Sequence, residues 1–136
     1  GFAVDTPHGL MVPKIRNVNE MSIQKIGEEL KKTSKLCREL KIDKKEFFGG
    51  SMTISSLGGI GGTHFTPIIN PPEVAILGVG KNFDRLVKEN GKIVSRKILP
   101  ISLSYDHRII DGAEGARFCV YLGKCLGKDF AFKLAV

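Results

Sequence analysis

Tryptophan is absent from this sequence, tyrosine occurs only twice, and no apolar run is long enough to cross a bilayer. The lysines are dispersed along the chain, although the formal net charge is +7. With no tryptophan and only two tyrosines available for stacking on bases, this charge favours a solvated basic face or a phosphate-bearing ligand over a nucleic acid. We therefore expect no membrane span and no nucleic-acid partner, and we keep nucleic-acid binding as the lesser alternative.

Cysteine is also scarce, and the three cysteines show neither the even number of a disulfide framework nor a metal-ligand spacing. Cys37 falls on the apolar stripe of a predicted helix, and Cys119 and Cys125 fall in another. Thiols in such positions usually behave as small hydrophobic side chains. We predict that all three are buried and that the protein occupies a reducing compartment.

The order of apolar and polar residues predicts a single α/β domain, because 136 residues suffice to bury a core. Period-two or wholly apolar segments predict strands, and apolar steps of three and four predict helices. The predicted strands are 2–4, 10–15, 51–56, 74–79, 85–89, 92–96 and 99–106, with a hairpin turn at Asn90-Gly91. The predicted helices begin near Ser22, with an apolar stripe reaching Leu40, and at Asp111. This mixture indicates a sandwich in which helices cover one sheet.

Residues 106–112 (DHRIIDG) place His107 at the end of an alternating strand, four residues before Asp111, which can begin a helix. An imidazole at a strand-to-helix junction is well placed for proton transfer near neutral pH. Asp111 and Glu114 also fit a capping box, so the spacing is equally consistent with a hydrogen-bonded histidine in a tight turn. Both interpretations stay open. His107 and Asp111 would give a metal ion only two ligands, so we expect no metal site.

A glycine-rich loop, residues 57–64, follows the strand that carries Ser55 and Ser56. It lacks the third glycine and the following helix of a dinucleotide motif, and it lacks the lysine of a P-loop. Its glycines indicate close approach by a ligand or by another stretch of backbone. Neither serine lies in a nucleophile elbow, so Ser55 is better suited to donate a hydrogen bond to an oxyanion, unless it merely fills the strand. We interpret His8 as a turn residue and His64 as an exposed one.

Four motifs, in the same order, resemble the catalytic domain of the dihydrolipoamide acyltransferases, the E2 family. They are residues 5–13 (DTPHGLMVP), 52–63 (MTISSLGGIGGT), 71–80 (PPEVAILGVG) and 106–112 (DHRIIDG). The likeness extends over nearly the whole chain. Residues 54–64 and 101–105 look closest to the acetyl-transferring members found in pyruvate dehydrogenase complexes.

The resemblance implies a chloramphenicol-acetyltransferase-like fold, a two-layer sandwich with a mixed sheet. It implies homotrimers that assemble into a hollow core of about 24 copies. Members of the family move an acyl group between coenzyme A and a dihydrolipoyl-lysine thiol, which a separate lipoyl domain carries. They work with the E1 and E3 components of a 2-oxo acid dehydrogenase complex. The implied compartment is the cytoplasm of a bacterium, or the mitochondrial or plastid matrix of a eukaryote.

The resemblance also implies roles for individual residues. His107 matches the motif histidine, which acts as general base on the attacking thiol, and Asp111 matches the aspartate that helps to hold the active-site geometry. Ser55 matches the serine that reaches the oxyanion from the adjacent subunit. The implied contacts to coenzyme A fall on Asp5, Ser55, Ser56, Gly59, Gly80 and Asn82.

The sequence departs from the family at both ends. Family domains extend upstream of Gly1, so we expect residues 1–136 to be the C-terminal part of the catalytic domain, incomplete on its N-terminal side and without a targeting segment. Residues 128–136 differ from the short apolar ending that docks on a neighbouring trimer, although Leu134 and Val136 could still dock. The alternative to an active acyltransferase is therefore a non-catalytic or truncated scaffold of the core.

Overall fold

The computed structural model describes residues 1–127 and residue 130, so the predicted docking residues Leu134 and Val136 lie outside the described part. Its strands are β1 (Val4–Thr6), β2 (Gly9–Met11), β3 (Thr53–Ser56), β4 (Ala75–Val79), β5 (Phe83–Glu89), β6 (Lys92–Ile98) and β7 (Ile101–Tyr105). Its helices are α1 (Ile23–Arg38) and α2 (Gly112–Cys125), and two 3-10 turns flank α1 at Val18–Glu20 and Lys44–Phe47. Within this part of the chain, no helix combines the length and apolar character that a membrane span requires.

Strand β4 is the centre of the fold. It pairs with β3 in parallel and with β7 in antiparallel orientation, so the central sheet is mixed. Residues 75–78 are all buried, as in a strand that is covered on both faces. The apolar run that predicted this strand is confirmed. A bridge between Phe2 and Ile54 brings the N-terminal segment alongside the free edge of β3, again in parallel.

The prediction of one continuous sheet is wrong, because the described strands form three sheets. Strands β1 and β2 pair only with each other, as do β5 and β6, and the central sheet has the order β3-β4-β7. Asn90 and Gly91 both have a positive φ, which a two-residue hairpin turn of type I′ requires. This turn commits β5 and β6 to each other along their whole length. The first N-terminal strand begins later than the predicted 2–4, and the second is shorter than the predicted 10–15, because only the residues beside the Pro7-His8 turn pair.

Helix α1 begins where the sequence predicts and ends earlier than its apolar stripe suggests. The hydroxyl of Ser22 accepts a hydrogen bond from the Lys25 N–H at 3.2 Å, which confirms the predicted N-cap. Leu40 has a φ of 54°, so the chain has already left the helix at that position. The stripe therefore continues past the helix, because Leu40 and Ile42 after its end are also apolar.

The prediction that all three cysteines are buried holds only in part, because two of them lie on α2, which is covered on one face only. Cys37 in α1 is fully buried, but Cys119 and Cys125 in α2 are half-buried. Helix α2 rests on β7 through Gly115, where a Cβ would lie 2.8 Å from the ring of Tyr105. Only one face of the helix is covered in this way, and the rest of its surface stays accessible.

A buried ion pair joins the N-terminal segment to the starts of β3 and β4. Lys14 donates to one carboxylate oxygen of Glu73, and the Thr53 hydroxyl donates to the other. The side chains of Lys14 and Glu73 are only 3% and 1% exposed. Burial opposes the charge on Glu73, but the hydrogen bonds from Lys14 and Thr53 and the lysine charge outweigh it. They hold the pKa of this carboxyl below its ordinary value of 4.5.

We expect Lys14→Met to lower the free energy of unfolding by about 3–5 kcal/mol, because it leaves the charge of Glu73 buried without its lysine. Urea unfolding followed by circular dichroism measures this change. As a control, Lys97→Met removes the exposed pair that Lys97 forms with Asp84 at 3.4 Å. That variant should lose less than about 1 kcal/mol. Equal losses in the two variants would contradict a special role for the buried pair.

The lowered pKa of Glu73 fixes the direction of a pH effect. The folded state holds this proton less tightly than the unfolded state, so ionised Glu73 contributes stability that is complete above pH 4.5. The contribution is lost as the pH falls through the folded-state pKa. In Lys14→Met, burial without the cation should raise the pKa of Glu73 instead. The urea midpoints of the two proteins should therefore converge on acidification, and midpoints that stay equally far apart would refute this account.

Candidate functional site

The histidine turn, residues 106–111, connects β7 to α2. The N–H of Asp106 donates to Val74 at 2.8 Å and extends the ladder between β4 and β7 by one bond. His107 follows immediately and is exposed, with its ring tilted against Tyr105 at a centroid distance of 5.8 Å. The predicted place of His107 at a strand-to-helix junction is confirmed.

Asp111 acts as the N-cap of α2. Its Oδ1 accepts a hydrogen bond from the Glu114 N–H at 2.8 Å, which is one half of the predicted capping box. In the described residues, no hydrogen bond joins Asp111 to His107. Asp111 therefore fixes where α2 begins, directly after the histidine. At the next residue, a Cβ on Gly112 would lie 3.9 Å from Nε2 of His107, which is an ordinary van der Waals distance, so Gly112 is a neighbour of this nitrogen.

The two residues on either side of His107, Asp106 and Arg108, form an ion pair that we did not predict. Arg108 donates from Nε to Oδ1 of Asp106 at 2.9 Å and from Nη2 to Oδ2 at 2.6 Å. These bonds, and a further one from the Arg108 N–H, lower the pKa of Asp106 to about 2. The available signal was the spacing of an acid and a base two residues apart within a turn.

Ser55 and Ser56 lie at the carboxyl end of β3, next to the glycine-rich loop. Because β3 and β4 are parallel, this end lies at the same edge of the sheet as the end of β4, where Gly80 follows. The N–H of Leu57 donates to Val79 at 2.9 Å, and Ser56 Oγ accepts from the Gly58 N–H at 3.3 Å. The loop is thus folded across the ends of both strands.

Two glycines at this edge, Gly80 and Gly59, differ in whether the fold itself requires a residue without a side chain. A Cβ on Gly80 would collide with the carbonyl oxygen of Thr63, so the close approach of two backbone segments requires this glycine. Around Gly59, by contrast, no described atom lies within 4 Å of the Cβ position, and its φ is not positive. Nothing in the chain itself explains a glycine at residue 59. The surface above it is open to a ligand or to another chain.

Asp5 and Asn82 extend the same edge. The parallel bridge between Phe2 and Ile54 directs β1 toward the carboxyl end of β3, so Asp5 lies on that side. Asn82 follows the end of β4, and both side chains are exposed. The structure therefore places all the residues for which the resemblance implies coenzyme A contacts around one edge. We call them the carboxyl-edge group: Asp5, Ser55, Ser56, Gly59, Gly80 and Asn82.

The histidine turn lies at the opposite edge, because β7 runs antiparallel to β4. Ser55 is level with Gly78 of β4 and with Ser102 of β7. Tyr105 lies three residues further along β7, so its Cα is about 14 Å from that of Ser55 for ordinary strand spacing and rise. His107 lies beyond Tyr105. The structure thus does not bring Ser55 and His107 together within one chain.

The candidate site is not an enclosed cavity in a single chain. A groove of about 500 Å³ lies between α1 and the segment that follows it, and none of the predicted site residues lines it. His64 is exposed and His8 lies in the turn between β1 and β2, both as predicted. In residues 1–127 and 130, no three potential metal-ligating side chains form a cluster.

Comparison by sequence identifies close relatives. Residues 1–131 match the family described as 2-oxoacid dehydrogenases acyltransferase (catalytic domain). The dihydrolipoyllysine-residue acetyltransferase components of the pyruvate dehydrogenase complexes of Haemophilus influenzae and Cupriavidus necator are 56% and 50% identical to this chain. The alignments cover 93% and 96% of this chain but 22% and 23% of those proteins. The chain therefore spans less than a quarter of the length of these relatives.

Comparison with solved structures identifies the same family as the comparison by sequence. A dihydrolipoamide acetyltransferase of Azotobacter vinelandii, the subject of investigations on the role of a serine, a histidine and an asparagine in its catalytic mechanism, matches with a TM-score of 0.92. It is 48% identical, and the match covers 100% of this chain and 55% of that one. The cubic core of the pyruvate dehydrogenase multienzyme complex matches with the same values. The chain belongs to the 2-oxoacid dehydrogenase acyltransferase family and matches its catalytic domain.

Proposed function

We propose that this chain is part of an acetyltransferase that moves an acetyl group between coenzyme A and dihydrolipoyl-lysine. The main support for this proposal is the sequence spacing of three candidate site residues, Ser55, His107 and Asp111. In the Azotobacter enzyme, the histidine under investigation follows the serine by 52 positions, and the asparagine follows the histidine by four. Here His107 follows Ser55 by 52 positions, and Asp111 follows His107 by four. Aspartate in place of asparagine keeps an oxygen that can accept the bond from the Glu114 N–H.

The histidine turn suits proton transfer from a thiol. A thiol with a pKa near 8.5 is roughly a few per cent thiolate at neutral pH. Nε2 of His107 takes the thiol proton of coenzyme A as the sulfur attacks the thioester carbonyl of the acetylated lipoyl group. The oxygen of the resulting tetrahedral adduct carries a negative charge, and the Ser55 hydroxyl donates a hydrogen bond to it. As the adduct collapses, the lipoyl sulfur leaves and takes the proton from His107.

The carboxyl-edge group is the proposed binding surface for coenzyme A. The accessible backbone at Gly59 supports this role, because an extended ligand can approach a glycine without meeting a side chain. Ser56, Asp5 and Asn82 add hydroxyl, carboxylate and amide groups that can bind the polar parts of the ligand. Asp111 holds the start of α2 in this proposal and does not touch the reacting atoms.

The active site is proposed to form between two copies of the chain. His107 and the carboxyl-edge group lie at opposite edges of one sheet, so one copy supplies the base and the other supplies Ser55 and the binding surface. A homotrimer provides such contacts in a closed ring, and burial between subunits excludes water from the thioester. We extend the proposal to a hollow core of about 24 copies, which works with a lipoyl domain and the E1 and E3 components.

Two finer assignments belong to the same proposal. We assign a chloramphenicol-acetyltransferase-like fold, with residues 1–136 as the C-terminal part of the catalytic domain. The mixed sheet and the 55% coverage of the solved acetyltransferase chain support this assignment. The relatives described above are bacterial, which supports the bacterial cytoplasm as the compartment.

We expect His107→Ala to lower acetyl transfer from acetyl-coenzyme A to dihydrolipoamide by about 10²–10⁴-fold, because the thiol loses its general base. Liquid chromatography of the S-acetyldihydrolipoamide formed measures the rate in the assembled protein. Gln24→Ala is the control, since Gln24 is exposed on α1 and belongs neither to the histidine turn nor to the carboxyl-edge group, and its rate should not change. A correctly assembled wild-type chain without turnover would instead support the non-catalytic scaffold.

Mixing two inactive variants tests the shared site. We expect His107→Ala and Ser55→Ala chains, dissociated together and reassembled, to recover about a quarter of the wild-type rate, because random pairing places an intact His107 opposite an intact Ser55 in that fraction of sites. Mass spectrometry of intact particles confirms that the variants have mixed. Replacing the Ser55→Ala partner with the double variant should give no recovery. Confirmed mixed particles without activity would overturn the proposal.

A further inference from the structure

Asp106 organises the backbone on both sides of His107. Its N–H continues the ladder to Val74, and its carbonyl oxygen accepts from the N–H groups of Ile109 and Ile110, both at 3.0 Å. Its side-chain Oδ1 accepts from the Arg108 N–H at 3.0 Å. Asp106 therefore holds the backbone of the turn that contains His107 by hydrogen bonds to the residues that follow the histidine.

Arg108 completes the turn from the outside. Its guanidinium meets both carboxylate oxygens of Asp106 through two different nitrogens, which gives a fixed planar geometry that a lysine could not provide. The Arg108 side chain is 88% exposed, and its hydrogen bonds in the described residues all go to Asp106. The pair thus shapes the turn without packing into the core.

The stability of the fold does not account for this pair. Exposed ion pairs contribute about 0–1 kcal/mol, and α2 and β7 already have a cap and a ladder of their own. The ring of His107, in contrast, is tilted against Tyr105 and has no hydrogen-bond partner in the described part of the chain. The direction in which this ring points therefore depends on the backbone of the turn.

We propose that Asp106 and Arg108 are positioning residues, whose paired side chains fix the backbone of His107 and so direct its Nε2 at the thiol. This inference rests on the acetyl transfer proposed above. A shift of about 1 Å in a reacting group can cost about 10²-fold in rate. The contacts to coenzyme A lie at the other edge of the sheet. Loss of the pair should therefore lower kcat and leave the KM for coenzyme A almost unchanged.

The primary test is Arg108→Gln in the assembled chain, because an exposed side chain can be replaced with little effect on folding. We expect kcat to fall by about tenfold or more, with the KM for coenzyme A within about twofold. Asp106→Asn is the second variant, since it keeps an oxygen for the Arg108 N–H and loses the carboxylate. Asp84→Asn, which removes the exposed pair with Lys97, is the matched control and should leave kcat unchanged. An unchanged kcat in Arg108→Gln would overturn the inference.

Combination with His107→Ala separates positioning from general damage. If Arg108 acts through His107, Arg108→Gln should cause no further loss of rate in the His107→Ala background, because the two effects share one cause. Loss of the same factor in both backgrounds would contradict the proposed role.

Amide hydrogen exchange gives a readout that does not depend on activity. The amides of Arg108, Ile109 and Ile110 should exchange faster in Arg108→Gln than in the wild-type chain, while those of β4 should keep their protection. If the assembled wild-type chain proves inactive, the acetyl transfer proposal fails, and exchange alone then decides whether the pair holds the turn. Unchanged exchange at all three amides would refute the positioning role in either case.

Discussion

The pairing of β4, parallel with β3 and antiparallel with β7, is the constraint on which the rest of the structure depends. The parallel pair brings two chain segments to the same edge, and both carry residues suited to binding an extended ligand. The antiparallel pair sends the histidine to the other edge. A single chain therefore keeps His107 and the carboxyl-edge group at opposite edges of its central sheet. This separation is the reason for proposing a site that two copies share.

Local signals in the sequence were sufficient for most of the elements. The caps at Ser22 and Asp111, the turn at Asn90-Gly91 and the apolar run of β4 are all confirmed, and each depends on residues within a few positions of one another. Local patterns also singled out His107, Asp111 and Ser55. The motif resemblance added the implied contacts to coenzyme A and the roles of the residues, which no local pattern could supply. Boundaries were less accurate, because the apolar stripe of α1 continues beyond the residue at which the helix ends.

Local sequence patterns do not show which distant segments of the chain pair with each other. The sequence of β7 is compatible with either orientation, so the separation of His107 from Ser55 became visible only with the strand register. Lys14 and Glu73 are 59 positions apart, and neither residue shows locally that it will be buried with the other. The half-buried state of Cys119 likewise depends on which face of α2 the sheet covers. In each case the missing information was the identity of the neighbour in space.

The ribbon of β5 and β6 makes its extensive contacts within itself and has two outer edges without strand partners in the described part of the chain. Leu86 and Ile93 are 72% and 74% exposed on it. Unpaired edges with apolar side chains attract other strands, and lysines such as Lys88 and Lys92 oppose this by repulsion. Concentrated salt weakens that repulsion, so the ribbon is where unwanted self-association of the purified chain would begin.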